Sequence, residues 1–332
     1  MGDAAGIGAE VIVKALAEVQ VRRAARFIIF GMNEQLCYAA DNAEIEPFWG
    51  RCQHEKIGRD FPHKVILADY DEYSVAPWLK KPSKISGEAS IKFCLDAIDA
   101  AKAGIIDAVV TAPINKSSWK LAGSKWPGHT EMLADRCKSP RKAMMLISGP
   151  LKLALATIHE ALFELRHKFT IGCVFEPIDL LNDALKEYFD IANPRIGVAA
   201  LNPHASEDGQ FGDEERRIIT PALLLAQEQG INCLGPFPAD TLFLRAAQGQ
   251  FDGVVAMYHD QGLIPVKLLA FDSAVNVTIG IPIIRTSPAH GTAYDISGQN
   301  IASATGMKSA IITAIRMAEM KKAYQLAHVM DR

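Results

Sequence analysis

Three features are missing from this 332-residue sequence: paired cysteines, a long hydrophobic run and an excess of one charge. The six cysteines form no CxxC pair, which argues against a disulfide-stabilised secreted domain and against a thiolate metal site. No apolar run reaches the roughly 20 residues that a membrane span needs. The formal charge is only -3, so no basic field attracts nucleic acid or an anionic membrane. We expect a cytoplasmic protein that binds small molecules, with neither a nucleic acid nor a membrane as partner.

Short apolar runs typical of β-strands alternate with longer stretches of helical period. Ile91, Leu95 and Ile98 mark one helix, and Ile311 and Ile315 mark another near the carboxyl end. This alternation predicts an α/β fold with a largely parallel sheet, in one large domain or in two interlocked ones. The predicted strands are Phe27–Phe30, Ala108–Thr111, Ala143–Ile147, Leu153–Ile158, Ile196–Leu201 and Val254–Tyr258.

A glycine-rich turn, Gly2 to Gly8, opens the chain with no strand in front of it. Its glycine spacing is not the GxGxxG fingerprint of a Rossmann dinucleotide site. A βα unit normally supplies a strand ahead of such a turn. We therefore expect an incomplete sheet edge beside residues 1 to 3.

His159, His204 and His259 each follow a predicted strand. In open α/β sheets, ligands bind at the edge formed by the carboxyl ends of the strands. Three imidazoles with open positions for water or substrate are a common catalytic metal set. A single histidine in this context is more often a hydrogen-bonded structural residue, and the three are too widely spaced to form a compact motif. Because the same context recurs three times, we predict that these residues bind a metal.

Several residues near the strand ends could hold an anion. Arg285 closes the apolar run that begins at Val277, and a cation there is costly unless an anion meets it. His129 and Thr130 lie in a turn that opens a predicted helix, where backbone amides can bind phosphate. The alternative is that Arg285 is ion-paired and Thr130 only caps the helix. The full set of anion candidates is His129, Thr130, Lys267, Asn276 and Arg285, with Asn115 and Lys116 ranked behind them.

Eight segments together resemble the 4-hydroxythreonine-4-phosphate dehydrogenase family, and the resemblance runs from Gly2 to the last helix. The sequence departs from the family at Ala4 and Ala9, where proline is usual, and in lacking the first strand. The segments are GDAAGIGAE (2 to 10), TAPINK (111 to 116), PGHTEML (127 to 133), ATIHEAL (156 to 162), LNPHASEDGQFGDEE (201 to 215), AMYHDQGLIPVK (256 to 267), NVTIGIPIIRTS (276 to 287) and HGTAYDISG (290 to 298).

The resemblance implies a role for each candidate set. It implies that the three histidines bind one divalent metal (Zn, Mg or Co) and that the five anion candidates contact a phosphorylated substrate. It also implies that the segment after Arg285 receives the adenosine end of NAD or NADP. The implied cofactor residues are His290, Gly291, Thr292, Ala293 and Asn300.

The implied fold has two interlocked α/β/α lobes with a central cleft, similar to isocitrate and isopropylmalate dehydrogenases. We expect the first lobe, on the cofactor side, to comprise residues 1–125 and 286–332. Residues 126–285 are expected to form the second lobe, which carries the metal and the dimer contacts. The resemblance further implies a homodimer with the active site at the subunit interface.

The expected activity is the oxidation of 4-hydroxy-L-threonine 4-phosphate at its C3 hydroxyl, followed by decarboxylation, in pyridoxal 5'-phosphate biosynthesis. A metal on the hydroxyl oxygen would lower the pKa of that hydroxyl, and Asp260 and Lys267 are the expected catalytic groups. A sister activity on 4-phosphorylated threonate or erythronate fits the same motifs. A metal-dependent hydrolase or a phosphate-acyl transferase is the alternative from another class, although neither needs the cofactor segment. A relative that oxidises an unphosphorylated cyclic diol is disfavoured, because it would not need the anion candidates.

Overall fold

The computed structural model describes residues 1–330. Besides helices and strands, this part of the chain contains short 3-10 turns and one π-helical turn, Glu215–Ile219. The helices and strands, in chain order, are α1 Gly8–Ala17, α2 Val19–Ala24, β1 Phe27–Gly31, α3 Asn33–Asn42, β2 Gly50–Gln53, β3 Val65–Asp69, α4 Lys84–Lys102, β4 Ala108–Val110, α5 Lys116–Leu121, α6 His129–Cys137, β5 Ala143–Ser148, β6 Leu151–Leu155, α7 Leu165–Lys168, α8 Ile171–Phe189, β7 Ile196–Ala199, α9 Thr220–Glu228, β8 Cys233–Phe237, α10 Ala239–Ala247, β9 Gly253–Ala256, α11 His259–Ala270, β10 Val275–Ile279, β11 Ile284–Pro288 and α12 Thr305–Met330.

The chain divides into two compact units. Unit 1 comprises residues Met1–Ser139 and Ile281–Ile315, and unit 2 comprises Pro140–Gly280 and Arg316–Arg332. In unit 1, β1, β3 and β2 form a parallel three-stranded sheet in that order, and β11 pairs in parallel with β4. Fully buried side chains such as Tyr70, Phe93 and Trp119 fill the core of this unit.

The expected open sheet edge is present in unit 1. Among the described residues, β1 pairs only with β3 and is therefore an edge strand. The amino group of Met1 donates a hydrogen bond of 2.8 Å to the carbonyl of Phe30 in β1. Glu18 is extended (φ -64°, ψ 114°) and separates α1 from α2.

In unit 2, six strands lie in the order β10, β5, β6, β9, β7, β8. The pairs β6–β9, β9–β7 and β7–β8 are parallel, whereas β5 runs antiparallel to both β6 and β10. The exception arises because only Gly149 and Pro150 join β5 to β6, and a connection that short permits only an antiparallel hairpin. The predicted α/β class with a largely parallel sheet is confirmed.

The order of strands in unit 2 decides where the site can form. Because β6, β9 and β7 are parallel neighbours, their carboxyl ends meet at one edge of the sheet. Below that edge, buried residues such as Leu153, Val254 and Leu242 hold the sheet against its helices.

All six cysteines are free, as expected. Within residues 1–330, no helix combines the length and the apolar composition that crossing a membrane requires.

Candidate functional site

His159 and His259 lie together at the carboxyl edge of the unit 2 sheet. His159 lies four residues beyond the end of β6, and His259 is the first residue of α11, which follows β9 after a short loop. Since β6 and β9 are adjacent and in register at Leu155 and Ala256, the two imidazoles are brought close, with ring centroids 5.8 Å apart. The predicted positions of these histidines after strands are confirmed; their role as metal ligands stays a prediction.

Hydrogen bonds hold His259 and the end of β9, the strand that precedes it. The carboxylate of Asp260 lies 2.7 Å from Nδ1 of His259. Gln261 accepts a hydrogen bond from the backbone of Met257 at 2.6 Å and donates one to the carbonyl of Ala200 at 2.7 Å. One side chain thus ties the chain leaving β9 to the chain leaving β7.

His204 follows β7, the third strand of the group, in a strained segment. Five consecutive residues without a glycine have positive φ angles, among them His204 (φ 52°, ψ 27°). The left-handed helical conformation costs about 1–2 kcal/mol for each L-residue, so this segment must be held by contacts elsewhere. The residues with positive φ are His204, Ala205, Ser206, Glu207 and Asp208.

The described part of one chain does not assemble the three histidines. His204 is exposed and its ring lies 6.3 Å from that of Phe211. No group of three or more His, Cys, Asp or Glu side chains within residues 1–330 is placed to hold a metal ion. A single chain therefore brings two of the three predicted ligands together and leaves the third apart.

Two anion candidates of unit 1, Arg285 and His129, form a compact cluster with Thr111. This residue lies in β11, its side chain is buried, and its guanidinium donates to Oγ1 of Thr111 from Nε at 3.2 Å and from Nη2 at 2.7 Å. Nη2 also lies 3.3 Å from Nδ1 of His129, the first residue of α6. The N-cap of α6 is Gly128, which supplies no side chain to the first turn. A cation, a hydroxyl, an imidazole and a helix amino terminus thus converge in one unit.

The protonation state of this cluster follows from burial and from its own charges. Burial, the adjacent guanidinium and the chain's amino group lower the pKa of His129 well below its usual value. Because a guanidinium only donates, Nδ1 of His129 must accept, and the neutral ring carries its hydrogen on Nε2. Burial lowers the pKa of Arg285 to about 10, which leaves it charged at neutral pH. Burial also raises the pKa of the nearby Cys94 thiol to about 12.

The other three anion candidates are Thr130, Lys267 and Asn276. Thr130 is the second residue of α6. Lys267 and Asn276 belong to unit 2, where Lys267 is exposed in the last turn of α11. Oδ1 of Asn276, in β10, is buried and has no hydrogen-bond partner among the described residues. Their roles as substrate contacts stay predictions.

The predicted cofactor segment packs against the glycine-rich turn at the start of the chain. The amide of Ile7 donates to the carbonyl of Thr292 at 3.0 Å, and a Cβ on Gly6 would lie 2.8 Å from that carbonyl oxygen. Glycine is therefore required at position 6 for this approach. In the same segment, Nε2 of His290 is buried without a partner in the described part of the chain, while Nδ1 lies 3.1 Å from the carbonyl of Gly291.

Three side-chain contacts anchor this segment further. The hydroxyl of Tyr294 donates to the buried carboxylate of Asp3 at 2.9 Å and lies 3.3 Å from Oγ of Ser118. Nζ of Lys14 donates to the carbonyl of Asn300 at 3.0 Å. Ala293 and Asn300 both have positive φ, at 43° and 58°. The cofactor segment is thus held in a defined, partly strained shape.

Sequence reasoning missed several residues that shape these sites. Glu215 holds the chain that leads to His204, Gln261 joins two strand ends, and Tyr294 anchors the cofactor segment. All three lie inside segments that carry the family resemblance, but neither their spacing nor their position marks them as site residues. A buried carboxylate that accepts from backbone amides leaves no spacing signal in a sequence.

Comparison with known proteins places the chain in a defined group. A family model described as pyridoxal phosphate biosynthetic protein PdxA matches residues 23–314. The chain is 43% identical to a 4-hydroxythreonine-4-phosphate dehydrogenase of Geobacter metallireducens, over 97% of this chain and 95% of that one. It is 40% identical to a D-threonate 4-phosphate dehydrogenase of Cupriavidus necator, over 94% of this chain and 93% of that one.

Solved structures agree with the sequence comparison. The fold is similar to the crystal structure of a 4-hydroxythreonine-4-phosphate dehydrogenase from Klebsiella pneumoniae, with a TM-score of 0.84 and 35% identity. The match covers 96% of each chain.

Proposed function

Because the chain belongs to the PdxA family, we propose that it is a metal-dependent, NAD(P)-linked dehydrogenase acting on 4-hydroxy-L-threonine 4-phosphate. It oxidises the C3 hydroxyl, decarboxylation follows, and the product enters pyridoxal 5'-phosphate biosynthesis. The observation that supports this most directly is the Arg285 cluster. A buried guanidinium beside a neutral imidazole, at the amino end of a helix, suits a phosphate group.

The histidine pair fits a divalent metal. With Zn–N bonds of about 2 Å, two imidazoles on one tetrahedral ion have centroids about 5 Å apart, close to the observed 5.8 Å. The carboxylate of Asp260 accepts from Nδ1 of His259, which leaves Nε2 as the metal-binding atom, as in carboxylate–histidine–metal arrangements. A divalent ion bound there supplies Lewis-acid polarisation of a hydroxyl oxygen.

The cofactor segment fits a nucleotide. His290 has a buried ring nitrogen without a partner among the described residues, and a dinucleotide can supply one. The glycine at position 6 permits close backbone approach, and Asp3 and Lys14 hold the segment in place. NAD or NADP, held there by the segment from His290 to Asn300, would supply a hydride acceptor.

This chain's own residues bind the phosphate and move the proton. Arg285 and Nε2–H of His129 donate to phosphate oxygens, which fixes the substrate by its end remote from the reacting carbon. Lys267 is exposed and adds a second cation for the substrate. Oδ1 of Asn276 accepts a hydrogen bond that the substrate donates. Asp260 is exposed next to His259 and serves as acceptor for the hydroxyl proton.

We propose a homodimer in which the metal site is shared between subunits. A single chain pairs His159 with His259 but leaves His204 apart, so a second copy would have to supply the third ligand. The helix that begins with His259 also exposes large apolar side chains, which a partner can cover. These are Ile264 (59% exposed), Leu268 (81%) and Phe271 (70%), the last directly after α11.

Subunit mixing tests the shared site. His204→Ala and His259→Ala should each be inactive as homodimers. After co-refolding at equal amounts, about a quarter of wild-type activity should return, because half of the dimers are mixed and each has one intact site. Mixing His159→Ala with His259→Ala is the matched control and should restore nothing. Activity that stays absent in both mixtures would place all three ligands in one chain.

The second candidate substrate is 4-phosphothreonate or 4-phosphoerythronate, favoured by the similarity to a D-threonate 4-phosphate dehydrogenase. The two substrate types differ at a single position, where an amino group is replaced by a hydroxyl. Nicotinamide absorbance should be followed with each phosphorylated acid and with both NAD and NADP. We expect the highest kcat/KM with 4-hydroxythreonine 4-phosphate. A higher value with a threonate or erythronate phosphate would transfer the assignment to that substrate, and no turnover with any of them would refute the dehydrogenase function.

A further inference from the structure

We propose that Glu215 is the positioning residue for His204, an inference that rests on the proposed metal site. Glu215 is 3% exposed and lies at the start of the π-helical turn. Its Oε1 accepts hydrogen bonds from the backbone amides of Leu201 at 2.9 Å and Asn202 at 2.7 Å. Its Oε2 accepts a third from Nδ2 of Asn202 at 3.0 Å. The carboxylate therefore holds the chain at the point where it leaves β7.

The held residues lie immediately before His204. Asn202 is fixed through both its backbone amide and its side chain, which also donates to Glu214 at 2.7 Å. Pro203 follows, and its ring fixes φ near -65°. Few torsions remain free between the Glu215 carboxylate and the Cα of His204. The position at which the backbone enters His204 is thus set largely by Glu215.

The left-handed segment explains why such a clamp is needed. His204 begins a run of five residues with positive φ, a conformation that isolated L-residues rarely adopt. Without a fixed entry point the run would relax toward ordinary φ values, and His204 would point elsewhere. Glu215 is itself anchored, since Ile218 and Ile219 of the same turn are buried. The part of unit 2 that is held in place therefore extends through Asn202, just ahead of the left-handed segment.

A carboxylate suits this position because it only accepts hydrogen bonds. All three groups that face it are N–H donors. Replacing one oxygen with an amide NH₂ puts a donor against a donor, although the side chain keeps its size. Because Glu215 is buried, it acts on the metal through His204 and not by contact with substrate.

The test compares Co²⁺ binding by the full-length wild type, Glu215→Gln and a matched control. Asp252→Asn is the control, because Asp252 accepts from the backbone amide of Arg195 at 2.8 Å, one residue before β7 begins. Both variants thus lose a carboxylate that holds one end of the same strand. Calorimetry should give a dissociation constant for Co²⁺ that is about 10–100-fold higher in Glu215→Gln. The constant should be unchanged in Asp252→Asn.

Two further readouts separate positioning from general stability. The visible absorption band of bound Co²⁺ should change shape in Glu215→Gln, because the third ligand is displaced, and amide exchange at Leu201 and Asn202 should accelerate even without metal. If Glu215→Gln does not fold, Asn202→Ala removes one of the three donors and should raise the dissociation constant less. If the wild type binds no Co²⁺, the proposed function fails and this role falls with it. If the wild type binds and a folded Glu215→Gln binds equally well, the positioning role alone is wrong.

Discussion

Replacement of Arg285 by methionine tests the phosphate site in unit 1. Methionine keeps much of the side-chain volume but removes the charge and the donors that reach Thr111 and His129. A hydrogen bond to a charged group contributes about 1.5–3 kcal/mol, which corresponds to a loss of about 10- to 150-fold in kcat/KM for a phosphorylated substrate. The loss should appear chiefly in KM, because the phosphate is bound in both the ground state and the transition state.

The assay is steady-state kinetics with 4-hydroxythreonine 4-phosphate and with its dephosphorylated analogue. For the analogue, Arg285→Met should reduce kcat/KM far less, since no phosphate is there to lose. Arg285→Lys is the matched control and should lie between wild type and methionine, because it keeps the charge but not the planar fork of donors. Equal losses for both substrates would refute the assignment of Arg285 to the phosphate.

Three more predictions concern pH, the cofactor segment and fold stability. Because the pKa of His129 is lowered in the folded protein, protonation of this residue favours the unfolded chain. As the pH drops below the ordinary pKa of histidine, the free energy of unfolding should fall by up to about 1.4 kcal/mol per pH unit. His129→Gln should remove this component of the pH dependence in denaturant titrations; an unchanged slope would contradict it. Tyr294→Phe removes the hydrogen-bond donor to the buried Asp3 and should lower the free energy of unfolding by about 1–3 kcal/mol. Calorimetry should also give a higher Kd for NAD in this variant. An unchanged Kd would show that this contact does not affect cofactor binding. Ser83→Ala removes the N-cap of α4 and should lower the free energy of unfolding, measured with denaturant, by about 1 kcal/mol. KM should stay the same for either substrate. A change in KM would show that α4 affects the site.

The sequence pattern predicted the strands that position the histidines, although not their limits. The run predicted as Leu153–Ile158 is a strand only over Leu151–Leu155, because Thr157 has already left the sheet to donate to the carbonyl of Met257. The apolar run before Arg285 is two strands, β10 and β11. Gly280 separates them with φ at 84°, and a Cβ there would meet the carbonyl of Arg141 at 2.8 Å. Hydrophobicity alone does not reveal such a break.

The candidate residues were easier to predict than the contacts that hold them. Histidines after strands and an arginine closing an apolar run stand out from their neighbours. The partnership of Arg285 with Thr111 depends on β11 pairing with β4, two strands far apart along the chain. The clamp of Glu215 on Asn202 depends on a π-helical turn. Such contacts follow from tertiary packing, which local sequence patterns do not encode.

Metal removal and restoration test the central claim most directly. The protein should be stripped with a chelator, then assayed by nicotinamide absorbance with 4-hydroxythreonine 4-phosphate and NAD or NADP before and after addition of Zn²⁺, Mg²⁺ or Co²⁺. We expect turnover to vanish on stripping and to return with at least one of these ions in the wild type, but not in a folded His259→Ala variant. Full turnover by protein shown to be free of metal would contradict the proposed role of the histidines.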